Sequence, residues 1–405
     1  MKVNKPISVL YIHHSGVFGG ASRSLMEMIQ AFSDGEVKAH VLTQKGQVPA
    51  IFIKRGINVI ETLGLSQFDH TRFGYYRSFR WLILLREIFY LPFTALAIIK
   101  AKKKWKNIDI VHVNEVTNIA SIILAKIILR RPIIVHVRSV QQNKGCFYRR
   151  KLLSWTLGLA KRVLAIDLRV RNSLPQGGKV DIIHNGLNNI NNNEIIKQYQ
   201  KVSFIEKAMT IVFVGSLSKM KGIYELLDSV KLCANHKMNV KFLIVGEVAK
   251  QTRGPKTFIL NKLGFTSDAY NFCKNFILDN KLESFVNFSG FKTEIESIYK
   301  SADIVCFPSH LNAVGRPVIE AALHGIPSII AIESLPDDLF IHQQTGLNIK
   351  EKNCESLFDA INYFYSQPAE IERMGLNAYK LAQMEFNIRD NAQKVLDIYK
   401  YSLGI

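Results

Sequence analysis

The sequence predicts two doubly wound α/β domains joined by a linker. Three observations carry this reading. The chain has 405 residues, more than one ordinary hydrophobic core organises, so two domains of roughly 150–200 residues are the expected division. Its apolar residues recur as short continuous runs separated by segments of helical periodicity, the pattern of parallel strands linked by crossover helices. The alternation stops once, in the asparagine-rich stretch "NNINNNEIIKQYQK", and then restarts.

The elements follow in order. "ISVLYI" is continuously apolar, as a strand buried on both faces must be. It is too short, and lacks the small-residue cleavage site, for a signal peptide. "ASRSLMEMIQAF" places Leu25, Met28, Ile29 and Phe32 on one helical face. Strands then read as "KAHVLT", "INVIET", "DIVHVN", "PIIVHVR", "KRVLAID" and "VDIIHNG", completing a first domain over 1–190. After a linker at 191–207, a second domain over 208–386 reads as "TIVFVGS", a helix through "IYELLDSVKLCA", "VKFLIVGE", "FVNFSGF", "ADIVCFPS", "PVIEAALHG" and "PSIIAI". Two such domains facing across a cleft hold their ligand at the carboxyl ends of the strands.

The stretch 80–107, "RWLILLREIFYLPFTALAIIKAKKKWKN", is nearly long enough to span a bilayer. Arg86 and Glu87 interrupt it and Pro92 kinks it, whereas a spanning helix needs ~20 mostly apolar residues. The expectation is a long helix packed on the sheet ahead of "DIVHVN". The competing reading is an interfacial helix with its apolar face in lipid and "KKKWK" on headgroups.

The net charge is +20 and is unevenly spread. Residues 1–190 hold 29 Lys+Arg against 10 Asp+Glu, whereas 191–405 hold 24 against 23. A field concentrated in one half points to an anionic partner: phospholipid headgroups, a phosphorylated acceptor or nucleic acid. The aromatic stacking motifs of an RNA module are missing, which argues against nucleic acid. The five cysteines form no CxxC pair, so thiolate metal sites and a disulfide scaffold are disfavoured. A reducing, cytoplasmic setting fits.

Two glycine-containing loops bear on ligand chemistry. "HHSGVFGGASRS" sets Gly16, Gly19 and Gly20 between a strand and a helix, where backbone N–H groups can face an anion. Its spacing is not GxGxxG, and the next strand, "KAHVLTQKG", ends without the acid that would bind a ribose diol, so NAD is disfavoured. "VGSLSKMKGIYELL" is not a Walker A loop, but Lys221 stands between a strand and a helix, where it can meet a diphosphate. His13 and His14 follow the first strand. His184 precedes the turn dipeptide Asn185-Gly186, and His310 and His324 carry no metal-like spacing.

Taken together, these residues resemble the retaining glycosyltransferases of the GT-B fold, glycosyl transferases group 1, family 4, across nearly the whole chain. "GVFGGAS" is similar to the family's first glycine loop. "GSLSKMKG" is similar to its Gly-Arg-Leu-x-x-x-Lys-Gly segment. "NAVGRPVIE" is similar to its signature run bounded by two glutamates, and "EFNIRDNAQKVLDIYK" to its final helix, which crosses back onto the first domain. Two Rossmann-like domains are thereby implied, with the helix at about 387–405 on the first.

The resemblance implies roles at the matching positions. Glu320 would hold the ribose diol of a UDP- or GDP-sugar and Lys221 its diphosphate. Gly315 and neighbouring amides would approach sugar and phosphates, and Gly19 and Gly20 would lie on the donor. No cofactor and no metal are implied. The acceptor, a glycan or a lipid-linked glycan, would meet the basic first domain, with Arg138 at the cleft-facing strand end; His13 and His14 are read either as facing donor or acceptor there or as strand-end packing.

Three positions depart from the family pattern. Its arginine is Ser216 here, its first signature glutamate is Asn312, and its histidine after "PIIVHV" is Arg138, although His136 stands two residues earlier. One reading is compensation: Arg316 or Arg138 supplies the cation lost at Ser216, and Asn312 still hydrogen-bonds a sugar hydroxyl. The other is a catalytically inactive sugar-nucleotide or glycan-binding relative. The resulting expectation is a transferase assembling a bacterial surface polysaccharide, peripheral on an anionic inner membrane face.

Overall fold

The computed structural model describes residues 5–69, 71, 76, 81–142, 147–175, 179–188, 207–246, 269–290, 292, 295–311, 313–333 and 335–405. The chain divides into two compact units, Met1–Asn188 with Phe386–Ile405, and Asn189–Glu385. Most of the stretch read as a linker lies outside the described residues, as does Asn312.

The first unit is built on a parallel sheet of β1 (Ile7–His13), β2 (Val37–Gln44), β3 (Asn58–Thr62), β4 (Ile110–Val113), β5 (Ile133–Val137), β6 (Arg162–Ala165) and β7 (Val180–Ile182). Its helices are α1 (Gly20–Ala31), α2 (Gln47–Lys54), α3 (Ile83–Lys104), α4 (Ile119–Ile128), α5 (Phe147–Gly158) and α6 (Leu168–Ser173). The strand order among the described residues is β3-β2-β1-β4-β5-β6-β7. Neighbours pair parallel throughout, for example Leu10 with His40 and with Val111. All seven residues of β1 are buried, because α3, α4 and α5 cover one face while α1 and α2 cover the other. The strand order reverses between β1 and β4, and their carboxyl ends open a crevice where such sheets bind ligands.

The second unit repeats the plan with β8 (Met209–Val214), α7 (Ile223–Asn235), β9 (Val240–Val245), α8 (Ala269–Asp279), β10 (Val286–Gly290), α9 (Glu296–Lys300), β11 (Ile304–Phe307), α10 (Arg316–Leu323), β12 (Ser328–Ala331) and β13 (Gly346–Ile349). Helices α11 (Cys354–Ser366) and α12 (Ala369–Glu385) complete it. The described strands run β10-β9-β8-β11-β12-β13, all parallel, and the order reverses between β8 and β11. Strand β13 was not read from the sequence. Its four residues are half apolar and too short to show a period.

The last helix, α13 (Ile388–Leu403), belongs to the first unit. Asn387 caps it, its side chain accepting from the Arg389 and Asp390 amides. Val395, Leu396 and Tyr399 then enter the core beside Leu25 and Met28. The Tyr399 hydroxyl lies 2.6 Å from His112 Nδ1 and donates to the Tyr11 hydroxyl at 3.2 Å. Burial keeps His112 neutral, with a pKa lowered to about 3.

Within the segment 80–107, Ile83–Lys104 forms α3, with Pro92 inside it. Thr94, Ala97, Ile98 and Ala101 of this helix are buried, which meets the expectation of a helix packed on the sheet. No helix among the described residues is long and apolar enough to cross a membrane.

The seating of α13 has a measurable consequence. Leu396 is 1% exposed, so Leu396→Ala is expected to destabilise the first unit by about 2–5 kcal/mol, read as a lowered urea midpoint. An unchanged midpoint would show that α13 does not contribute to that core.

Candidate functional site

Both strand-order reversals gather polar residues, one cluster in each unit. In the first unit the cluster is built around Arg138, the residue after β5. Its Nε donates to Asn114 Oδ1 at 2.7 Å and its Nη1 to Asn185 Oδ1 at 2.6 Å. A desolvated guanidinium needs such acceptors, and burial lowers its pKa to about 10. With Asn114 Oδ1 held by Arg138, the Asn114 amide faces His13 and donates to its Nδ1 at 3.0 Å. This places the His13 proton on Nε2, which donates to Ser22 Oγ at 2.8 Å. Ser22 in turn donates to the Val17 carbonyl at 3.2 Å, in the glycine loop.

A continuous hydrogen-bonded chain therefore runs from β5 across β4 and β1 to the start of α1. His13 is fully buried and both its ring nitrogens are engaged. Of the two readings of His13, this geometry is that of strand-end packing: both ring nitrogens are used in positioning the loop. His14 is half-buried, and its Nδ1 receives the Asn118 amide at 3.2 Å. Burial lowers its pKa to about 4. A side chain at Gly19 or Gly20 would meet nothing within 4 Å, so this loop's backbone is open to a ligand. His184 stacks edge-on to Phe386, a packing role within the unit.

Glu115 stands behind this chain. Its carboxylate accepts from Ser139 Oγ at 2.8 Å, the Val116 amide at 2.8 Å and the Arg138 amide at 3.3 Å. Burial outweighs those bonds and raises its pKa to about 7.

In the second unit, the turn after β8 carries Ser216 and then a single 3-10 turn, Lys219–Lys221. Gly222 closes it at φ 72°, and a Cβ there would lie 2.0 Å from the Pro308 carbonyl oxygen. Only glycine serves at that position, and the turn is thereby locked against the end of β11. Lys221 Nζ stands 5.0 Å from the centre of the Phe307 ring. Burial lowers its pKa, a cost that an anionic ligand would offset.

Gly315 caps α10, and a Cβ on it would meet Phe307 Cζ at 2.2 Å. Packing on Phe307 is thus one reason for this glycine, beside any approach of backbone to a ligand. Phe307 joins Lys221 and the start of α10 into one cluster.

Glu320 lies one turn into α10. Its Oε1 accepts from Arg316 Nε at 2.7 Å and its Oε2 from the Tyr299 hydroxyl at 2.9 Å. These two contacts orient the carboxylate on the helix. Arg316, read with Arg138 as one of two cations that could replace the one missing at Ser216, is joined to Glu320. The signal was their i, i+4 spacing on a helix. Among the described residues, no group of three or more His, Cys, Asp or Glu is placed to hold a metal ion.

Two family models match this chain: "Glycosyl transferases group 1" over residues 194–381 and "Glycosyltransferase Family 4" over residues 18–189. The chain belongs to the group 1 glycosyltransferases. Among curated relatives, the glycosyltransferase CapM of capsular polysaccharide biosynthesis in Staphylococcus aureus is 23% identical over 226 residues, 54% of this chain and 54% of CapM. The match thus spans about half the length of each. Anabaena HepE, solved with UDP and glucose, superposes with a TM-score of 0.68 at 20% identity, over 97% of this chain and 99% of HepE. Staphylococcus aureus TarM, solved with UDP, gives 0.67 at 12% identity over 97% and 99%. These likenesses establish the GT-B fold for this glycosyltransferase.

Asn114, Glu115, Asn185 and Tyr299 were not singled out in the sequence. Asn114 and Glu115 lie directly after the "DIVHV" strand, and that position was the available signal. Nothing local marks Tyr299.

Glu115 gives this glycosyltransferase a testable pH dependence. Its folded pKa of about 7 lies above the ordinary 4.5, so between these values the native state keeps a proton that the unfolded chain has released. Its contribution is full below pH ~4.5 and is lost as pH rises through ~7, on the order of 3 kcal/mol. The buried histidines act oppositely in this window, so the comparison is with Glu115→Gln. Urea midpoints from pH 4.5 to 7.5 are expected to fall with pH in the wild type relative to this variant. Parallel profiles would contradict it.

Proposed function

We propose that this chain is a retaining, metal-independent hexosyltransferase that moves a sugar from a nucleotide-diphosphate sugar to a glycan or lipid-linked acceptor. The observation that carries the donor assignment is the second-unit cluster. A carboxylate oriented by Arg316 and Tyr299 sits on the same helix whose start packs with the half-buried Lys221 on Phe307. Glu320 holds the ribose diol. Lys221 and the first amides of α10 receive the charge that grows on the diphosphate as it leaves. The UDP bound in HepE and TarM supports a uridine donor.

The first unit takes the acceptor beside His14 and Arg138, with Gly19 and Gly20 giving the donor backbone access. Attack is from the face the leaving group departs. The bond from the anomeric carbon to the diphosphate oxygen breaks, the acceptor oxygen bonds that carbon, and the acceptor's proton passes to the diphosphate. The setting is assembly of a surface polysaccharide, in line with CapM, on the cytoplasmic face of the membrane.

The departures at Ser216 and Asn312 favour a second reading, binding without turnover. UDP is expected to raise the melting temperature, more than GDP does. Lys221→Ala is expected to slow transfer by about 100-fold or more, and Glu320→Ala to raise the donor KM. The product's anomeric configuration, read by NMR, checks retention. Binding of UDP with neither transfer nor donor hydrolysis would sustain the second reading.

A further inference from the structure

The first unit carries an apolar groove that the chemistry above does not use. It lies between α3 and α4, with a volume of about 630 Å³, within the range of small-molecule sites. Phe68, Leu84, Ile88, Leu91, Ile123 and Leu124 line it. Among the described lining residues the one carboxylate, Glu87, accepts from the Gln67 backbone amide at 2.8 Å and pairs with Arg86. A groove walled by hydrocarbon, with its polar group already paired, suits an apolar ligand.

The surface around it has the same character. Leu85 is 66% exposed, Ile88 61% and Phe89 57%, where a water-facing helix ordinarily carries polar residues. Lys102, Lys103 and Lys104 stand at the far end of this helix, where Lys102 donates to the Ile128 carbonyl at 2.6 Å. Arg149 stands one turn from the lining residue Leu152. The half of the chain bearing this groove holds nearly all the excess positive charge, complementary to a phosphate.

The groove also joins the polar cluster. Its lining includes Ile119, the first residue of α4, and the preceding Asn118 donates to His14. Lining residue Phe68 donates its amide to the Thr117 carbonyl at 2.7 Å. One end of the groove therefore opens beside the strand ends that hold His14 and Arg138.

We propose that this groove receives the hydrocarbon chain of a phosphate-linked lipid acceptor. The chain lies between α3 and α4, and its phosphate and glycan head lie at the strand-end cluster, on the side of Arg149. This rests on the reading of the first unit as the acceptor-binding one.

The test uses the full chain and hexadecyl phosphate as probe, below its micelle concentration, with butyl phosphate as the short-chain control. Hexadecyl phosphate is expected to bind at least ten-fold more tightly by calorimetry. Ala120→Trp, which fills the groove, and Leu91→Glu, at its exposed rim, are each expected to weaken it at least ten-fold. Circular dichroism checks that both variants fold, and Leu91→Glu perturbs no core position. Equal binding of the two phosphates overturns the proposal, as does unaltered binding by both folded variants. So does binding of anionic vesicles without binding of the monomeric probe, since the face is then only a bilayer contact. UDP thermal shifts on the same samples separate the two readings. A UDP response without probe binding removes the groove alone, and probe binding without a nucleotide response removes the donor assignment alone.

Discussion

Placing a guanidinium at the end of β5 constrains most of the first unit around it. Arg138 is largely withdrawn from water, and its charge must be met by acceptors brought from elsewhere in the chain. They come from Asn114 after β4 and Asn185 after β7. Each acceptor, once committed, has only one face left. Asn114 turns its amide to His13, His13 turns its proton to Ser22, and Ser22 holds the glycine loop through Val17. On the other side, Gly186 next to Asn185 packs on Ile388, where α13 begins. One desolvated cation thus couples the loop that opens onto the crevice to the helix that returns from the far end of the chain.

The second unit solves a related problem with a carboxylate. Glu320 is held from both sides, by Arg316 along its own helix and by Tyr299 from α9. Hydrogen bonds from two directions set where its oxygens face. They also remove the rotamer freedom that a ligand would otherwise have to freeze. Gly222 and Gly315 serve the same end. Each is a position where a side chain would collide, with Pro308 in one case and Phe307 in the other. Lys221, Phe307 and the start of α10 are close because those two atoms are missing.

Much of the fold was legible in the chain. Every strand named from a continuous apolar run is present, since a strand buried on both faces has no polar side to disguise it. The segment 80–107 read correctly as a helix on the sheet, because Arg86, Glu87 and Pro92 excluded a span. Strand β13 escaped, being four residues without a period. The site was legible in part. Lys221 was marked by its place between a strand and a helix, and Glu320 and Arg138 by the family pattern; all three stand beside the reversals of strand order. His13 did not stand out from His14, because alternation along a strand sends neighbours to opposite faces without saying which face is open.

The sequence by itself determined the alternation of strands and helices, the interruption between the halves, the surplus of positive charge in the first half and the family of the chain. These depend on local pattern and composition, which the chain carries in order. Only the tertiary structure decided that Tyr299 joins Glu320, that His13 is sealed behind Asn114, and that α3 and α4 leave a groove between them. Each of these is a distance between atoms from separate elements. Such distances are set by the way parallel strands order themselves in a sheet, and no single segment of sequence records them.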